Sequence, residues 1–520
     1  MKQLLLILGL TLATFVGPAS AHAATASDAP QQEQVHSDSG EQAEENHAAA
    51  DHHEDEAHGA DHGHSPAPWS VAPFIILLLM IATGPLFYAH FWHKNYPIIA
   101  IILGTITVVY YLAFLGDAHH PIHAFFEYFS FIALIGALFV ASGGILIKVD
   151  KEGTPMANVV LLVIGAALAN IIGTTGASML LIRPFVRLNQ HRVKPYHIVF
   201  FIFMVSNVGG VLTPIGDPPL FLGFLKGVPF FWTATHLWPK WIFGIALLSI
   251  IFYFVDRKNH AMARDAAPTE YSGKIQVKGV RNAIFLLVTI IAVFMDPNVV
   301  DWLPGILNNE ATHSWSIGAM ASLSPEAAAN TAAFSFIREL IMITAAVLAF
   351  KTADKECLKG NEFDFEPIKE VGFLFIGIFA TMMPALQLIS EFANSDGGQK
   401  LVNTDTLYWF TGMLSGVLDN APTYLNFLAA GMGKLGLDIG AQADVLTYTT
   451  DAVKELMAIS VGAVFFGAFT YIGNAPNFMV KSIAEQIGIK MPSFVGYIVR
   501  YSIPILMPVL LLTWLVFFFL

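Results

Sequence analysis

The sequence predicts an all-α polytopic membrane protein built from two inverted repeats, with two re-entrant hairpins and two broken transmembrane helices. Three observations predict it. Only 13% of the 520 residues are charged, about half the ~25% usual in soluble domains. Apolar stretches run at roughly 72 to 92, 96 to 115, 122 to 147, 238 to 255, 282 to 296 (short), 329 to 350, 371 to 392 and 495 to 519. Four further apolar segments, 156 to 186, 196 to 232, 405 to 430 and 453 to 488, are interrupted by polar, Gly- and Pro-containing runs. This composition excludes an ordinary soluble enzyme or a nucleic-acid binder.

The N-terminus carries Lys2, an apolar run from Leu4 to Val16 and the small-residue site Ala21-His22-Ala23. These are the three parts of a secretory signal peptide, so residues 1–23 are expected to be removed and the mature N-terminus to lie outside the cytoplasm. Residues 24–68 follow as an acidic, His-rich tail. Ala24 to His64 holds eleven acids and no Lys or Arg, so of 39 acids in the chain 28 remain against 27 bases, and the membrane body is nearly neutral. With almost no large apolar side chains, the tail cannot repay its ordering entropy and is expected to be disordered. His52, His53, His58, His62 and His64 stand among its carboxylates, a composition that holds zinc, nickel or copper weakly. Irregular spacing and the absence of Cys favour a solvated tail over a closed metal site.

From Trp69 to Leu520 the chain reads as one membrane domain. In 156 to 186 the polar run Asn170 to Ser178 (NIIGTTGAS) sits mid-segment, and in 405 to 430 the run Leu418 to Thr423 (LDNAPT) does the same. Each arm beside these runs has about 10 to 14 residues, or roughly 15 to 21 Å of helix, too short for a ~30 Å hydrocarbon core. Both therefore read as hairpins whose tips end near the midplane. The other two segments read as long helices broken by Ser206 to Pro219 (SNVGGVLTPIGDPP) and Tyr471 to Asn477 (YIGNAPN). Broken backbone at membrane depth needs protein or a polar cavity to satisfy its freed amide groups, so four such breaks point to one buried polar site.

The order of two spans, a hairpin, a broken helix and a closing span occurs twice, at about 96–255 and 329–519, with GDPP at Gly216 matched by GNAP at Gly473. Asp256 to Arg281 carries six bases and Asn282 to Ile337 none, which places the first loop in the cytoplasm and the second outside. The first hairpin then enters from the cytoplasm and the second from outside. Inverted halves with a substrate site at their interface are the construction of secondary transporters.

Asp217 and Asp419 are the acids inside breaks, and an intramembrane carboxylate is a functional candidate by default. Such a group binds a hard cation together with neutral oxygens, and a proton discharges it. The plainer alternative is that each caps a half-helix N-terminus. The neutral candidates at the same breaks are Asn170, Thr174, Thr175, Ser206, Asn207, Asn420, Thr423 and Asn474, with Gly216 and Gly473 freeing backbone carbonyls. Arg183 near the end of a hairpin arm reads as a snorkelling side chain, Arg338 and Glu339 as an intramembrane pair or partners of other helices, and Glu127 as interfacial.

At these breaks the sequence resembles the ion transporter (citrate transporter-like) superfamily and, within it, the NhaD-type sodium/proton antiporters. The carrying residues are Ser206 to Trp232, Leu418 to Phe427, Tyr471 to Glu485 and Asn170 to Pro184. The resemblance implies hairpins and broken helices forming a mobile transport domain against a scaffold that often dimerises, so a homodimer in a lipid bilayer is expected. Superfamily members that carry dicarboxylates use Ser-Asn-Thr runs at the hairpin tips. Here the second tip adds the negative charge of Asp419, which disfavours an organic anion.

The expectation is thus a non-enzymatic inner-membrane antiporter exchanging sodium or lithium for protons by alternating access. No resident cofactor and no nucleic acid partner are expected. Sodium-coupled uptake of a di- or tricarboxylate is the alternative within transport, and a transporter-derived sensor using the His-rich tail is the alternative outside it. The lone Cys357 excludes an internal disulfide or a cysteine-rich centre, and no GxxxxGK[ST], HExxH or GxSxG run is present.

Overall fold

The computed structural model describes residues 65–149, 151–263, 273–309, 312, 314–324, 327–328 and 331–520. The expected signal peptide, residues 1–23, and the tail histidines His52, His53, His58, His62 and His64 lie outside the described residues.

The protein is an all-α polytopic membrane protein, with eight helices among the described residues long and apolar enough to cross a bilayer. The first two, α1 (Ala72–Phe87) and α2 (Ala89–Tyr110), meet at Tyr88. Along α2 the exposed apolar residues Ile98, Ile101, Ile102, Ile106 and Val109 recur at helical spacing. In water such a stripe would be costly; against lipid tails it costs nothing. The opposite side of α2 packs tightly on α11 (Glu366–Asn394), where a Cβ on Gly377 would come within 2.9 Å of the Ala100 carbonyl oxygen. Small residues let two helix backbones approach, as they do at helix contacts in membranes. The third span, α3 (His119–Gly143), is central, with both flanks buried for most of its length.

A short strand, β1 (Leu146–Val149), leads into α4 (Pro155–Leu188), which turns back on itself. Gly173 at its midpoint has φ 76° and ψ 154°, a conformation only glycine adopts at low cost. Asn158 and Asn189 exchange two side-chain hydrogen bonds of 2.8 Å each. A continuous helix would separate those residues by about 46 Å, so α4 is the first re-entrant hairpin rather than a span. Its open end is tied down by Asp256, which accepts from Asn158 at 2.9 Å and from Arg192 at 2.5 Å.

The chain continues through α5 (Pro195–Met204), a break, and α6 (Pro218–Lys226), the first broken helix. Then α7 (Trp232–Ala263) returns to the face that carries β1, where β2 (Ile275–Lys278) pairs antiparallel with β1, Leu146 opposite Lys278. Both Lys148 and Lys278 hold Glu356 there, at 2.9 and 2.7 Å.

After α8 (Val280–Val293), the segment before α9 (Ile337–Thr352) departs from expectation. It forms an antiparallel sheet of β3 (Pro304–Asn309), β4 (Ser314–Ala319) and β5 (Thr331–Phe334) in the order β4-β3-β5. The span expected from 329 therefore begins only at Ile337. Sheet hydrogen bonding claims residues 331–334, whose apolar side chains alone suggested helix.

Past α10 (Lys355–Gly360) and α11, helices α12 (Asp396–Leu401), α13 (Thr404–Val417) and α14 (Asn420–Lys434) follow. The last two form the second hairpin, with Leu418 and Asp419 extended at its tip. It opens on the face opposite the first: a Cβ on Gly433, near its end, would meet Ser390 at the far end of α11. The second broken helix, α16 (Val453–Phe466) and α17 (Ala475–Gln486), follows α15 (Gln442–Asp451), and α18 (Phe494–Phe519) closes the chain. The two halves are inverted, as expected of secondary transporters.

Candidate functional site

The two broken helices repeat each other atom for atom in places. Asp217 precedes Pro218 and caps α6 with φ −143° and ψ 143°; Asn474 precedes Ala475-Pro476 and caps α17 with φ −154° and ψ 138°. The glycine before each lies against a glycine six residues upstream. A Cβ would come within 2.1 Å of the Gly210 carbonyl oxygen at Gly216, and within 2.6 Å of the Gly467 carbonyl oxygen at Gly473. Thr213 and Thr470 each accept from the following glycine amide, at 3.1 and 3.2 Å.

Asp217 is the centre of the arrangement and is 1% exposed. Its Oδ1 accepts from Thr174 Oγ1 and from Asn474 Nδ2, both at 2.8 Å, and its Oδ2 accepts from Asn420 Nδ2 at 2.7 Å. One carboxylate thus draws a donor from the first hairpin, the second hairpin and the opposite broken helix. Among the described residues no Lys, Arg or His forms an ion pair with it.

Other candidates lie one bond behind. Thr174 N donates to the Gly216 carbonyl at 2.8 Å, and Asn170 binds the same break through Leu212 N (2.8 Å) and Thr213 Oγ1 (2.5 Å). Ser206 shares a hydroxyl contact of 2.8 Å with Ser178. Asn207 Nδ2 donates to the Ile202 carbonyl and to Asn477 Oδ1, at 2.8 and 2.7 Å, so its Oδ1 faces Asn474 Nδ2 at 3.2 Å. Among the described residues the Thr423 hydroxyl bonds only within its own hairpin, to the Asp419 carbonyl at 2.8 Å.

Asp419 does not touch Asp217. It caps α14 through the Ala421 amide at 3.0 Å and lines a cavity of about 380 Å³ together with Thr175, Asn420 and Asn474. The cavity's outer wall carries Arg183, Glu362, Asp364, Glu366 and Glu370, on the face of β1 and β2. Arg183 is buried there rather than reaching past the hairpin: Nη2 holds Glu362 at 3.1 Å while Nη1 makes no hydrogen bond among the described residues. Glu362 has φ 47°, the one positive value at a non-glycine residue among those described.

Two other charge groups are internal ties. Arg338 pairs with Glu339 at 2.7 Å and with Asp296. Glu127, expected to be interfacial, is 5% exposed and is held by Lys226 of α6 at 2.8 Å and His123 at 3.2 Å. That group stands between two cavities of about 560 and 440 Å³ on the opposite face. The acidic wall and Lys226 were not read from the sequence, since no spacing relates them to the breaks.

Inverted repeats, opposed hairpins and a polar site where broken helices meet define a multi-pass membrane transporter. The chain belongs to the family described as putative citrate transport, whose model matches residues 63–518. It is also similar to an uncharacterized transporter of Mycobacterium bovis and to one of Mycobacterium tuberculosis, each 23% identical over 428 residues, covering 80% of this chain and 85% of the relative. These matches carry the resemblance at the level of the citrate transporter-like superfamily and do not single out the NhaD-type branch.

Proposed function

We propose that the protein exchanges sodium or lithium for protons across the inner membrane by alternating access, with Asp217 as the group the ions share. The observation that carries this reading is a buried carboxylate contacted by three neutral donors and by no basic side chain. An uncompensated carboxylate in a low-dielectric site is costly, and either a proton or a small cation relieves the cost. Because both occupy the same carboxylate, binding of one displaces the other.

Asp419, on the cavity wall, adds a second negative charge beside the route to Asp217. By the positive-inside bias, the basic face onto which the cavity opens is cytoplasmic. Proton movement in everted vesicles, followed with a fluorescent pH probe, tests the exchange. Sodium or lithium should dequench the probe with wild-type protein and not with Asp217→Asn. Silence towards both cations in well-folded protein would sink the reading.

A second reading, sodium-coupled uptake of a carboxylate, is favoured by one observation: Arg183 lines the same cavity, and its buried Nη1 has no hydrogen-bond partner among the described residues. The family description agrees with it. Uptake of labelled citrate driven by a sodium gradient, lost in Arg183→Gln, would support it over exchange.

A further inference from the structure

The Nδ2 of Asn474 stands at the focus of three oxygens: Asp217 Oδ1 at 2.8 Å, the Ser206 carbonyl at 3.2 Å and Asn207 Oδ1 at 3.2 Å. An amide has two hydrogens, so three acceptors exceed what this nitrogen can serve well. The orientation of both amides is fixed by chemistry. The Ser206 carbonyl can only accept, which puts the nitrogen of Asn474 towards it. The Ile202 carbonyl can only accept from Asn207 Nδ2, which turns Asn207 Oδ1 towards Asn474.

A backbone carbonyl, an amide oxygen and a carboxylate converging on one point form the oxygen set that suits a hard cation. All three belong to the first broken helix and its break, whereas the nitrogen at their focus comes from the second. We infer that the side-chain amide of Asn474 and a monovalent hard cation compete for one position, the amide's partial positive charge serving as the ion's internal substitute. This inference rests on the exchange reading and deepens it. It gives Asn474 a role opposite to that of a ligand, since the ion enters only as the amide leaves. Asn420 and Thr174 also donate to Asp217, so the carboxylate has two donors besides the amide of Asn474.

The sign of one measurement separates the roles. Sodium-22 binding to purified full-length protein in nanodiscs is compared among wild type, Asn474→Ala and Asn474→Ser. A competitor's removal should tighten sodium binding about tenfold, the equivalent of one charge-assisted hydrogen bond no longer opposing the ion. Unchanged binding overturns the inference, and weakened binding assigns Asn474 as a ligand instead. Wild-type protein that binds neither sodium nor lithium overturns the exchange reading and the inference with it. Should neither variant fold, infrared difference spectra of the wild type decide. Sodium must then perturb a hydrogen-bonded asparagine amide band, and a spectrum without such a change overturns the competition.

Discussion

Asn474 donates a 2.8 Å hydrogen bond to Asp217, and the two residues hold the same place in their respective repeats. The pseudo-symmetric pair is therefore chemically unequal: one member can carry charge and the other cannot. Asp217→Asn should lower sodium-driven exchange at least ~100-fold, because no other group at the focus exchanges a proton. Combining it with Asn474→Asp restores a carboxylate on the other side of the same contact. The double variant should recover measurable exchange in everted vesicles, and a double variant as silent as the single one would show that the carboxylate's place in its own repeat matters.

The side chain of Asp419 makes one hydrogen bond among the described residues, from the Ala421 amide, and Asn serves equally well as an N-cap. Asp419→Asn should leave thermal stability within about 0.5 kcal/mol of wild type. The lost charge on the cavity wall should raise the half-saturating sodium concentration several-fold with maximal exchange largely kept. A fall in maximal exchange matching that of Asp217→Asn would instead place Asp419 on the proton path itself.

Glu127 is 5% exposed and Lys226 stands on it at 2.8 Å, so removing the lysine leaves the carboxylate with His123 as its remaining ion-pair partner among the described residues. Lys226→Ala should destabilise the protein by about 1 to 3 kcal/mol, read as a lower melting temperature in detergent. Lys226→Met with Glu127→Gln removes both charges and should regain most of that loss. A double variant no more stable than the single one would assign the cost to packing.

Gly216 and Gly473 are set by approach rather than by φ. Each faces a carbonyl oxygen of its own break at a separation no Cβ tolerates. Gly216→Ala and Gly473→Ala should each reduce the yield of monodisperse protein in size-exclusion chromatography. Normal yield with normal exchange would mean the breaks are looser than their contacts imply.

Outside the membrane, Lys278 and Lys148 hold the Glu356 carboxyl down at about 2, against an ordinary 4.5. A depressed folded-state value contributes stability above the unfolded value and loses it as pH falls through the folded one. The melting temperature of wild type should therefore exceed that of Glu356→Gln at pH 6, and the gap should close between pH 4.5 and 2. A gap independent of pH would deny the carboxylate its part in joining β1 and β2.

Much of this was legible in the sequence because the breaks interrupt apolar runs that are otherwise uninterrupted. Asn170 to Ser178 and Leu418 to Thr423 leave arms too short to cross, which fixes two hairpins without any contact being known. The meeting of Thr174, Asn420 and Asn474 on Asp217 follows from the inverted order of the breaks. What one residue decides at the hairpin tip was not legible: Asp419 is the extended cap of α14 and Asn420 its first helical residue, and it is Asn420 that reaches Asp217. Glu127 and Lys226 meet across 99 positions with no motif between them. The sheet of β3, β4 and β5 was missed because Thr331–Phe334 is apolar and abuts a real helix, so composition alone extended the span.

The cavity behind Glu362 also changes where voltage acts. An opening of about 380 Å³, lined largely by apolar side chains but with acids on its wall, would, if water fills it, carry the potential of the solution on that face inwards as far as Asp419 and Asn420. The transmembrane field is then compressed into the protein between the Asp217 cluster and the opposite surface, including the layer that Glu127 and Lys226 close. A full elementary charge crossing the membrane is worth about 2.3 kcal/mol per 100 mV. Here most of that work would be done over the short remaining path beyond Asp217, while the approach to Asp419 would be almost free of it.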